Sequence, residues 1–199
     1  MLNWNFLVIS IFMTFLKLNL KTYSLMTHTA TIKLKPNMKN PIHLLAFGFG
    51  SGLVPKAPGT AGSLAAIIPW LWLSQLGILN YTLIVLFSAL AGIYLCGKTS
   101  KDLGVHDHSG IVWDEFCGFW ITMIAVPAGW QWLVLGFVLF RFFDILKPWP
   151  ISWLDKKLTT GLGIMLDDIV AGIFAWIILQ LVLYFYLPTS LFAQLLNQL

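Results

Sequence analysis

Charged residues are scarce in this sequence, and their scarcity argues against a soluble globular domain. Only 10% of the 199 residues are Asp, Glu, Lys or Arg, 58% are hydrophobic, and the mean hydropathy is +0.82. A soluble domain usually contains about 25% charged residues. No Ser-, Gly- or Pro-rich linker and no internal repeat divides the chain. The composition therefore predicts one compact domain of a polytopic membrane protein.

Cysteine is nearly absent, which argues against a disulfide-stapled fold and a thiolate metal centre. The two cysteines, Cys96 and Cys117, both lie inside apolar runs. A buried free cysteine usually behaves as a small hydrophobic side chain. We therefore interpret both as packing residues.

Acidic residues are missing from both ends of the chain. Residues 1–101 carry lysine as their only charged residue, and residues 169–199 carry no charge. The acids, eight in all, are Asp102, Asp107, Asp114, Glu115, Asp144, Asp155, Asp167 and Asp168. Their concentration between residues 102 and 168 indicates a site rather than charges scattered for solubility.

Hydrophobic runs predict an all-α fold. Residues 78–97 and 168–187 are long enough to cross a bilayer, for which a helix needs about 20 residues. Residues 113–126 and 130–143 are shorter, so we expect a helical hairpin that is tilted or buried against its neighbours. The chain is thus predicted to form a polytopic membrane helical bundle with about four to five hydrophobic helices.

A Gly/Pro-rich segment interrupts the bundle near its start. Residues 48–60 contain too many helix-breaking residues for a plain span, so they predict a re-entrant or interfacial loop. Thr60 or Ser63 is expected to cap the next helix, which runs to about Leu76.

Composition also divides the chain along its length. We assign residues 1–37 to an N-terminal extension and basic segment, in which residues 1–25 are treated as an upstream extension without function. Residues 38–187 form the membrane domain, and residues 188–199 form an uncharged C-terminal tail.

Charge asymmetry predicts the orientation in the membrane. The turns LGILNY and PAGWQ and the C-terminal tail contain no charged residue, whereas every Lys and Arg lies in the other loops or at their edges. Positively charged loops stay in the cytoplasm, so the 98–115 loop, the 141–168 loop and Lys56 are expected on the cytoplasmic face. All the acids share that face.

Two carboxylate doublets each open an apolar run. Asp114 and Glu115 begin one run, and Asp167 and Asp168 begin another. An ionised carboxylate in apolar surroundings needs a compensating partner. Small residues three and four positions after the second doublet would let another helix approach closely. Because carboxylate oxygens suit Mg²⁺, the four acids predict a magnesium site shared by two helices.

Two alternatives stay open for these acids. The second doublet is compatible with a helix N-cap, although a cap needs only one aspartate. The acids are also compatible with buried structural ion pairs to Arg141 and Lys147.

Cationic residues lie in the motif RFFDILKPWPI. Arg141 and Asp144 share a helix face at i,i+3 spacing. Arg141 offers a planar fork that matches phosphate oxygens, and Lys147 offers a point charge. We predict that Arg141 and Lys147 bind the substrate phosphate. We also assign Asp144 to the catalytic residues.

The Gly-rich segment FGFGSGLVPKAPGTAGS is a second predicted phosphate contact. Its backbone N–H groups around Gly59 and Thr60 would cradle phosphate, and Lys56 would add charge. The segment lacks the spacing of a nucleotide-binding P-loop, so a purely structural turn is an equal alternative.

The motif GVHDHSG places His106, Asp107 and His108 shortly before the first doublet. A single His-x-His pair without a cysteine or a third histidine does not predict zinc. A histidine here would instead donate a proton to a leaving alkoxide, and we assign His106 to the catalytic residues on that basis. Asp107 is assigned to them because of the family resemblance given below. A solvated loop is the alternative.

Four motifs in this order resemble the phosphatidylglycerophosphatase A family: GFGSGLVPKAPGTAGSLAA, GVHDHSGIVWDEFCG, FRFFDILKPWPI and GIMLDDIVAG. The resemblance covers about residues 38–180. It implies an all-α, Mg²⁺-dependent enzyme of the bacterial inner membrane that removes the terminal phosphate of phosphatidylglycerophosphate to give phosphatidylglycerol. The charged motif residues of the family correspond here to Asp107, Asp114, Glu115, Arg141, Asp144, Lys147, Asp167 and Asp168.

The resulting hypothesis is a lipid phosphatase with no nucleic-acid partner. Its metal ligands are Asp114, Glu115, Asp167 and Asp168, and its nucleophile is either water held by the metal or one of the aspartates. The alternative is a membrane cation transporter that uses the carboxylates as an ion path. Such a protein would place acids at midspan depth, whereas these acids lie at the ends of apolar runs.

Overall fold

The computed structural model describes residues 34–105, 108–149, 151 and 160–186, and all regular elements within these ranges are helical. The α-helices in chain order are α1 (Pro41–Ala46), α2 (Pro58–Ala65), α3 (Ile67–Leu73), α4 (Ile78–Leu103), α5 (Trp113–Thr122), α6 (Trp130–Leu146) and α7 (Gly161–Tyr186). A 3₁₀ segment, Gly48–Leu53, lies between α1 and α2. The predicted all-α class is confirmed for the described residues.

Two helices, α4 and α7, are long and apolar enough to cross a membrane. Each contains 26 residues, which corresponds to about 39 Å of helix against a hydrocarbon core of about 30 Å. Only 28% of the most apolar stretch of each helix is buried within the protein. A core helix of a soluble protein would be mostly buried, so these outward-facing apolar surfaces indicate association with a membrane.

The remaining hydrophobic helices are shorter than a typical span. Helices α5 and α6 contain 10 and 17 residues, and both pack against α7. Within the described ranges, only α4 and α7 meet the length and composition expected of a spanning helix. The predicted number of four to five hydrophobic helices in the membrane therefore stays a prediction.

Both long helices start or end in places that the hydrophobic pattern did not indicate. Helix α4 continues through the polar segment KTSKDL to Leu103, where its last turns carry an i,i+4 ion pair between Lys98 and Asp102. Helix α7 begins at Gly161, well before the second carboxylate doublet. The doublet therefore lies inside a helix, and the N-cap interpretation of it is wrong.

The Gly/Pro-rich segment is more regular than expected. Its 3₁₀ turns break at Phe49 and Gly50, which have φ values of 57° and 98°, and α2 already begins at Pro58. Thr60 and Ser63 consequently lie inside α2 rather than at its N-cap, so the prediction that they cap this helix is wrong. The re-entrant course of the loop stays a prediction.

The helix predicted to run to Leu76 is divided into α2 and α3 at Ala66. Pro69 explains the division, because a proline ring clashes with the carbonyl four residues earlier and removes one helical hydrogen bond. That carbonyl belongs to Ala65, the last residue of α2.

A close crossing of α5 and α7 positions the polar residues described below. A Cβ on Gly172 would collide with the carbonyl oxygen of Gly118, and a Cβ on Gly118 would lie 2.7 Å from the carbonyl oxygen of Asp168. The two backbones therefore touch, as small residues permit in helix packing within membranes. Asp114 precedes Gly118 by four residues and Asp168 precedes Gly172 by four, so the crossing brings both aspartates together one turn away.

The predicted terminal segments fall largely outside the described residues. This applies to residues 1–33 and 187–199, so the proposed division of the chain into an extension, a membrane domain and a tail stays a prediction.

Candidate active site

Three carboxylates from α5 and α7 form a compact group, named here the carboxylate triad. Its members are Asp114, Glu115 and Asp168, and one oxygen from each lies within 4.8 Å of the other two. Asp114 and Asp168 are 8% and 3% exposed, and the Glu115 Oε2 atom is buried. The α5–α7 crossing thus creates a buried cluster of negative charge.

Among the described residues, no cationic side chain forms an ion pair with the carboxylate triad. Within the described part of the chain, no Lys or Arg nitrogen lies within 4.0 Å of these three carboxylates. Burial raises the pKa of Asp114, and the charge of Glu115 raises it further. Burial also raises the pKa of Glu115 to about 8. The triad therefore needs either protons or an external cation.

The geometry of the triad fits a hard divalent cation. Oxygens bound to one Mg²⁺ at about 2.1 Å lie up to about 4.2 Å apart, so small side-chain movements would bring one oxygen of each carboxylate onto a common ion. Mg²⁺ is commonly held by a few carboxylates together with water and phosphate oxygens.

Arg141 on α6 lies beside the triad. Its Nη1 atom donates to Asp144 Oδ2 at 2.5 Å and to Ser63 Oγ at 3.3 Å, and its Nη2 atom donates to Thr60 Oγ1 at 3.4 Å. The guanidinium is therefore attached both to its own helix and to α2.

Lys147 provides a second cation at the end of α6. It is the C-cap residue of the helix in the left-handed conformation, with φ of 42°, and its Nζ donates to Asp167 Oδ2 at 2.6 Å. Residues adjacent on an α-helix point about 100° apart, so Asp167 and Asp168 face different neighbours. Asp167 pairs with Lys147, and Asp168 joins the triad.

The triad and both cations line one cavity of about 410 Å³. Its wall consists of Pro58, Gly59, Ser109, Ile111, Asp114, Glu115, Arg141, Asp144, Ile145, Lys147, Gly163, Ile164, Asp167 and Asp168. Carboxylates on one side and two cations on the other therefore face the same space.

At Gly59, α2 approaches the charged residues so closely that a larger residue would displace the side chain of Glu115. A Cβ at this position would collide with Glu115 Oε1 and would lie 3.3 and 3.4 Å from the two Nη atoms of Arg141. Gly59 also lines the cavity, as expected for a predicted phosphate contact.

Two residues predicted to contact phosphate do not line the cavity. Lys56 is exposed, because it lies in the turn ahead of α2. Thr60 is directed towards Arg141, because the first turn of α2 presents its hydroxyl to that guanidinium. The structure therefore gives these two residues places different from the predicted ones.

The predicted proton donor, His106, and its neighbour Asp107 both lie outside the described residues. The neighbouring His108 is described. Its Nδ1 accepts a hydrogen bond from the Gly110 backbone N–H at 3.0 Å, and its ring packs near Phe47. These contacts fix the loop that enters α5.

The structure places several residues in contacts that the sequence did not predict, including Ser63, which was expected only as a helix cap. Ser63 and Ser109 belong to the surroundings of the cavity, and His43 is buried with its Nε2 3.2 Å from Asp102 Oδ2. The spacing of Ser63 four residues after Gly59 was a usable signal, since such positions share a helix face. The contact of His43 with Asp102 could not be predicted from local sequence, because the two residues are far apart in the chain.

The alternative of structural ion pairs describes only part of the acids. Asp144 and Asp167 are paired with Arg141 and Lys147, whereas the carboxylate triad is not paired with a cation among the described residues. The fold and cavity together define a class: an all-helical, membrane-associated protein whose buried carboxylates and cations suit phosphoryl chemistry.

Comparison with known sequences gives the family. The family described as phosphatidylglycerophosphatase A matches residues 44–183. Phosphatidylglycerophosphatase A of Escherichia coli strain K12 is 54% identical over 147 residues, which are 73% of this chain and 86% of that protein. Phosphatidylglycerophosphatase A of Haemophilus influenzae is 51% identical over 164 residues, which are 81% of this chain and 100% of that protein. The chain belongs to the phosphatidylglycerophosphatase A family and is accordingly a phosphatase.

A further relative carries a different name. A protein of Bacteroides thetaiotaomicron, provisionally named as a phosphatidylinositol-3-phosphatase, is 40% identical over 156 residues, which are 71% of this chain and 95% of that protein. No solved structure matches the chain.

Proposed function

We propose that this chain hydrolyses the terminal phosphomonoester of phosphatidylglycerophosphate, giving phosphatidylglycerol and inorganic phosphate in a Mg²⁺-dependent reaction. The names of the Escherichia coli and Haemophilus influenzae relatives support the substrate. The observation that carries the metal requirement is the carboxylate triad, which is buried without a cationic partner in the described part of the chain.

The residues of the cavity have separate tasks in this proposal. Asp114, Glu115 and Asp168 would hold Mg²⁺, which would supply charge neutralisation for the phosphoryl oxygens. Arg141 and Lys147 bind the phosphate and align it, and Asp144 and Asp167 hold those cations in place. Phosphoryl transfer depends chiefly on such alignment and charge stabilisation.

The size of the cavity agrees with a lipid that stays in the membrane. A volume of about 410 Å³ accommodates a small polar headgroup but not two acyl chains. We infer that the tails remain in the bilayer while the headgroup enters between α5, α6 and α7. The positive-inside rule supports a cytoplasmic position for the cavity in the inner membrane of a bacterium.

The transporter alternative is not retained. The family to which the chain belongs is named for a phosphatase, and an ion path has no support in the comparisons.

Phosphate release by purified protein in detergent micelles tests the proposal. The panel contains phosphatidylglycerophosphate, its lyso form, phosphatidic acid and phosphatidylinositol 3-phosphate, each with Mg²⁺ or with EDTA. We expect the highest kcat/KM on phosphatidylglycerophosphate and loss of turnover with EDTA that added Mg²⁺ restores. Full turnover in EDTA would refute the metal requirement, and preference for phosphatidylinositol 3-phosphate would refute the substrate.

A further inference from the structure

The hydroxyl groups of Ser63 and Thr60 contact Arg141, although neither residue lines the cavity. Ser63 is 0% exposed, and its Oγ–H donates to the carbonyl oxygen of Gly59 at 2.9 Å. Ser63 Oγ also accepts a hydrogen bond from Arg141 Nη1 at 3.3 Å, and Thr60 Oγ1 lies 3.4 Å from Arg141 Nη2. Both hydroxyls belong to α2, whereas Arg141 belongs to α6, so these contacts join two helices.

The hydrogen bonds of Arg141 engage both of its Nη atoms but not its Nε–H. Arginine has five N–H donors. Those on Nη1 are directed to Asp144 and Ser63, and one on Nη2 is directed to Thr60. Among the described residues, the Nε–H has no acceptor. The Nε atom is itself buried, whereas Arg141 as a residue lines the cavity, so the contacts with Asp144, Ser63 and Thr60 hold its guanidinium at the cavity wall.

Of the two α2 hydroxyls that contact Arg141, Ser63 has the better defined geometry, because its own proton has a fixed acceptor. Asp144 lies on the same helix as Arg141 and follows any movement of that helix. Ser63 lies on another helix, and its own proton is committed to Gly59, so its oxygen can only accept from the guanidinium. A hydroxyl held in this way provides a directed acceptor for one Nη1 proton.

We propose that Ser63 is a positioning residue that holds the guanidinium of Arg141 in place to bind a phosphate monoester in the cavity. The inference rests on the proposed function, because it takes Arg141 as the phosphate-binding cation. Ser63 itself does not touch the substrate.

The first test compares Ser63→Ala with wild type in detergent micelles containing Mg²⁺. We expect the KM for phosphatidylglycerophosphate and the inhibition constant of inorganic phosphate to rise roughly five- to tenfold, because a hydrogen bond to a charged group is lost. The kcat and the metal affinity should change less than about twofold, because the carboxylate triad is untouched. An inhibition constant equal to that of wild type would overturn the proposal.

Ser100→Ala is the matched control. Its hydroxyl is also buried and donates to a backbone carbonyl, that of Val105 at 2.8 Å, but it does not line the cavity with the triad. We expect this variant to retain both constants within about twofold. Equal losses in the two serine variants would attribute the effect to general destabilisation and would overturn the role of Ser63.

A double-mutant cycle with Arg141→Lys separates positioning from other effects. A lysine cannot reproduce the two Nη contacts. Once it is present, Ser63→Ala should raise the phosphate inhibition constant by no further factor. Multiplication of the two single effects would overturn the proposal. Ser63→Cys, which has a weaker acceptor of similar size, should give an intermediate constant and serves if the alanine variant does not fold.

The same cycle distinguishes failure of this inference from failure of the proposed function. If Arg141→Lys itself leaves phosphate inhibition unchanged, the phosphate-binding role of Arg141 is wrong and both ideas fail. If Arg141→Lys weakens phosphate inhibition while Ser63→Ala does not, only the positioning role of Ser63 fails.

Discussion

The acidic and basic sides of the cavity are held in opposite ways. On the acidic side, the carboxylate triad is assembled by the backbone contact between α5 and α7 and has no cationic partner among the described residues. On the basic side, Arg141 and Lys147 each pair with an acid, Asp144 or Asp167. The difference teaches that the acidic side needs either protons or an external cation, whereas the basic side is already oriented by its ion pairs.

Removing a member of the triad should produce the largest effect. Asp168→Asn eliminates one negative ligand, so we expect kcat/KM to fall on the order of a thousandfold. Metal binding should weaken in parallel, measured without turnover from the paramagnetic signal of Mn²⁺ added to the purified protein. A wild-type metal affinity in this variant would show that Asp168 is not a metal ligand.

Changing the pH should affect the acidic side strongly. In the metal-free protein burial raises the pKa of Glu115 to about 8, so a proton on Glu115 competes with the metal below that pH, and this competition is lost as the pH rises above it. We expect the apparent Mg²⁺ affinity to rise roughly twentyfold between pH 6.5 and 8.5, with proton release on binding. Calorimetric titrations at the two pH values measure both quantities, and a pH-independent affinity would contradict the prediction.

Changing Asp167, the other member of the α7 doublet, should affect phosphate binding without affecting metal binding. Asp167→Asn removes the partner of Lys147 but leaves the triad intact, so we expect KM to rise about tenfold. Mn²⁺ affinity should stay within about threefold of wild type, because Asp167 is outside the triad. Lys147→Met is the companion variant and should show the same pattern. A loss of metal affinity as large as that of Asp168→Asn would return Asp167 to the metal ligands.

Replacing Lys56 should have the smallest effect. The side chain is exposed and outside the cavity lining, so Lys56→Ala should retain kcat/KM within about twofold. The kcat/KM values of Lys56→Ala and Lys147→Met, measured by steady-state kinetics under the same conditions, provide the comparison. A tenfold loss would show that the loop before α2 moves onto the substrate.

Much of the site could be predicted from residue types alone. Charged residues inside apolar runs are costly, so Asp114, Glu115, Arg141 and Asp168 stood out, and all four line the cavity. The division of labour within the Asp167–Asp168 doublet could not be predicted, because two adjacent residues differ only in the direction they face on the helix. The contacts of Ser63 with Arg141 were equally inaccessible, because they join positions 78 residues apart.

Helix boundaries show the same limit. The hydrophobic pattern located α4 and α7, but it placed the end of α4 too early and the start of α7 too late. Polar turns at helix ends are stabilised by ion pairs such as Lys98 with Asp102, and glycine contacts between helices are not visible in hydropathy.

The sequence by itself determined the membrane class, the helical fold and the inventory of charged residues, because hydropathy and the cost of burying charge act locally along the chain. Tertiary structure alone decided which carboxylates meet, which cation each remaining acid holds and which hydroxyls orient Arg141. Those choices depend on the rotation of each helix about its axis and on the glycine crossing of α5 and α7. Both are fixed only when the helices pack.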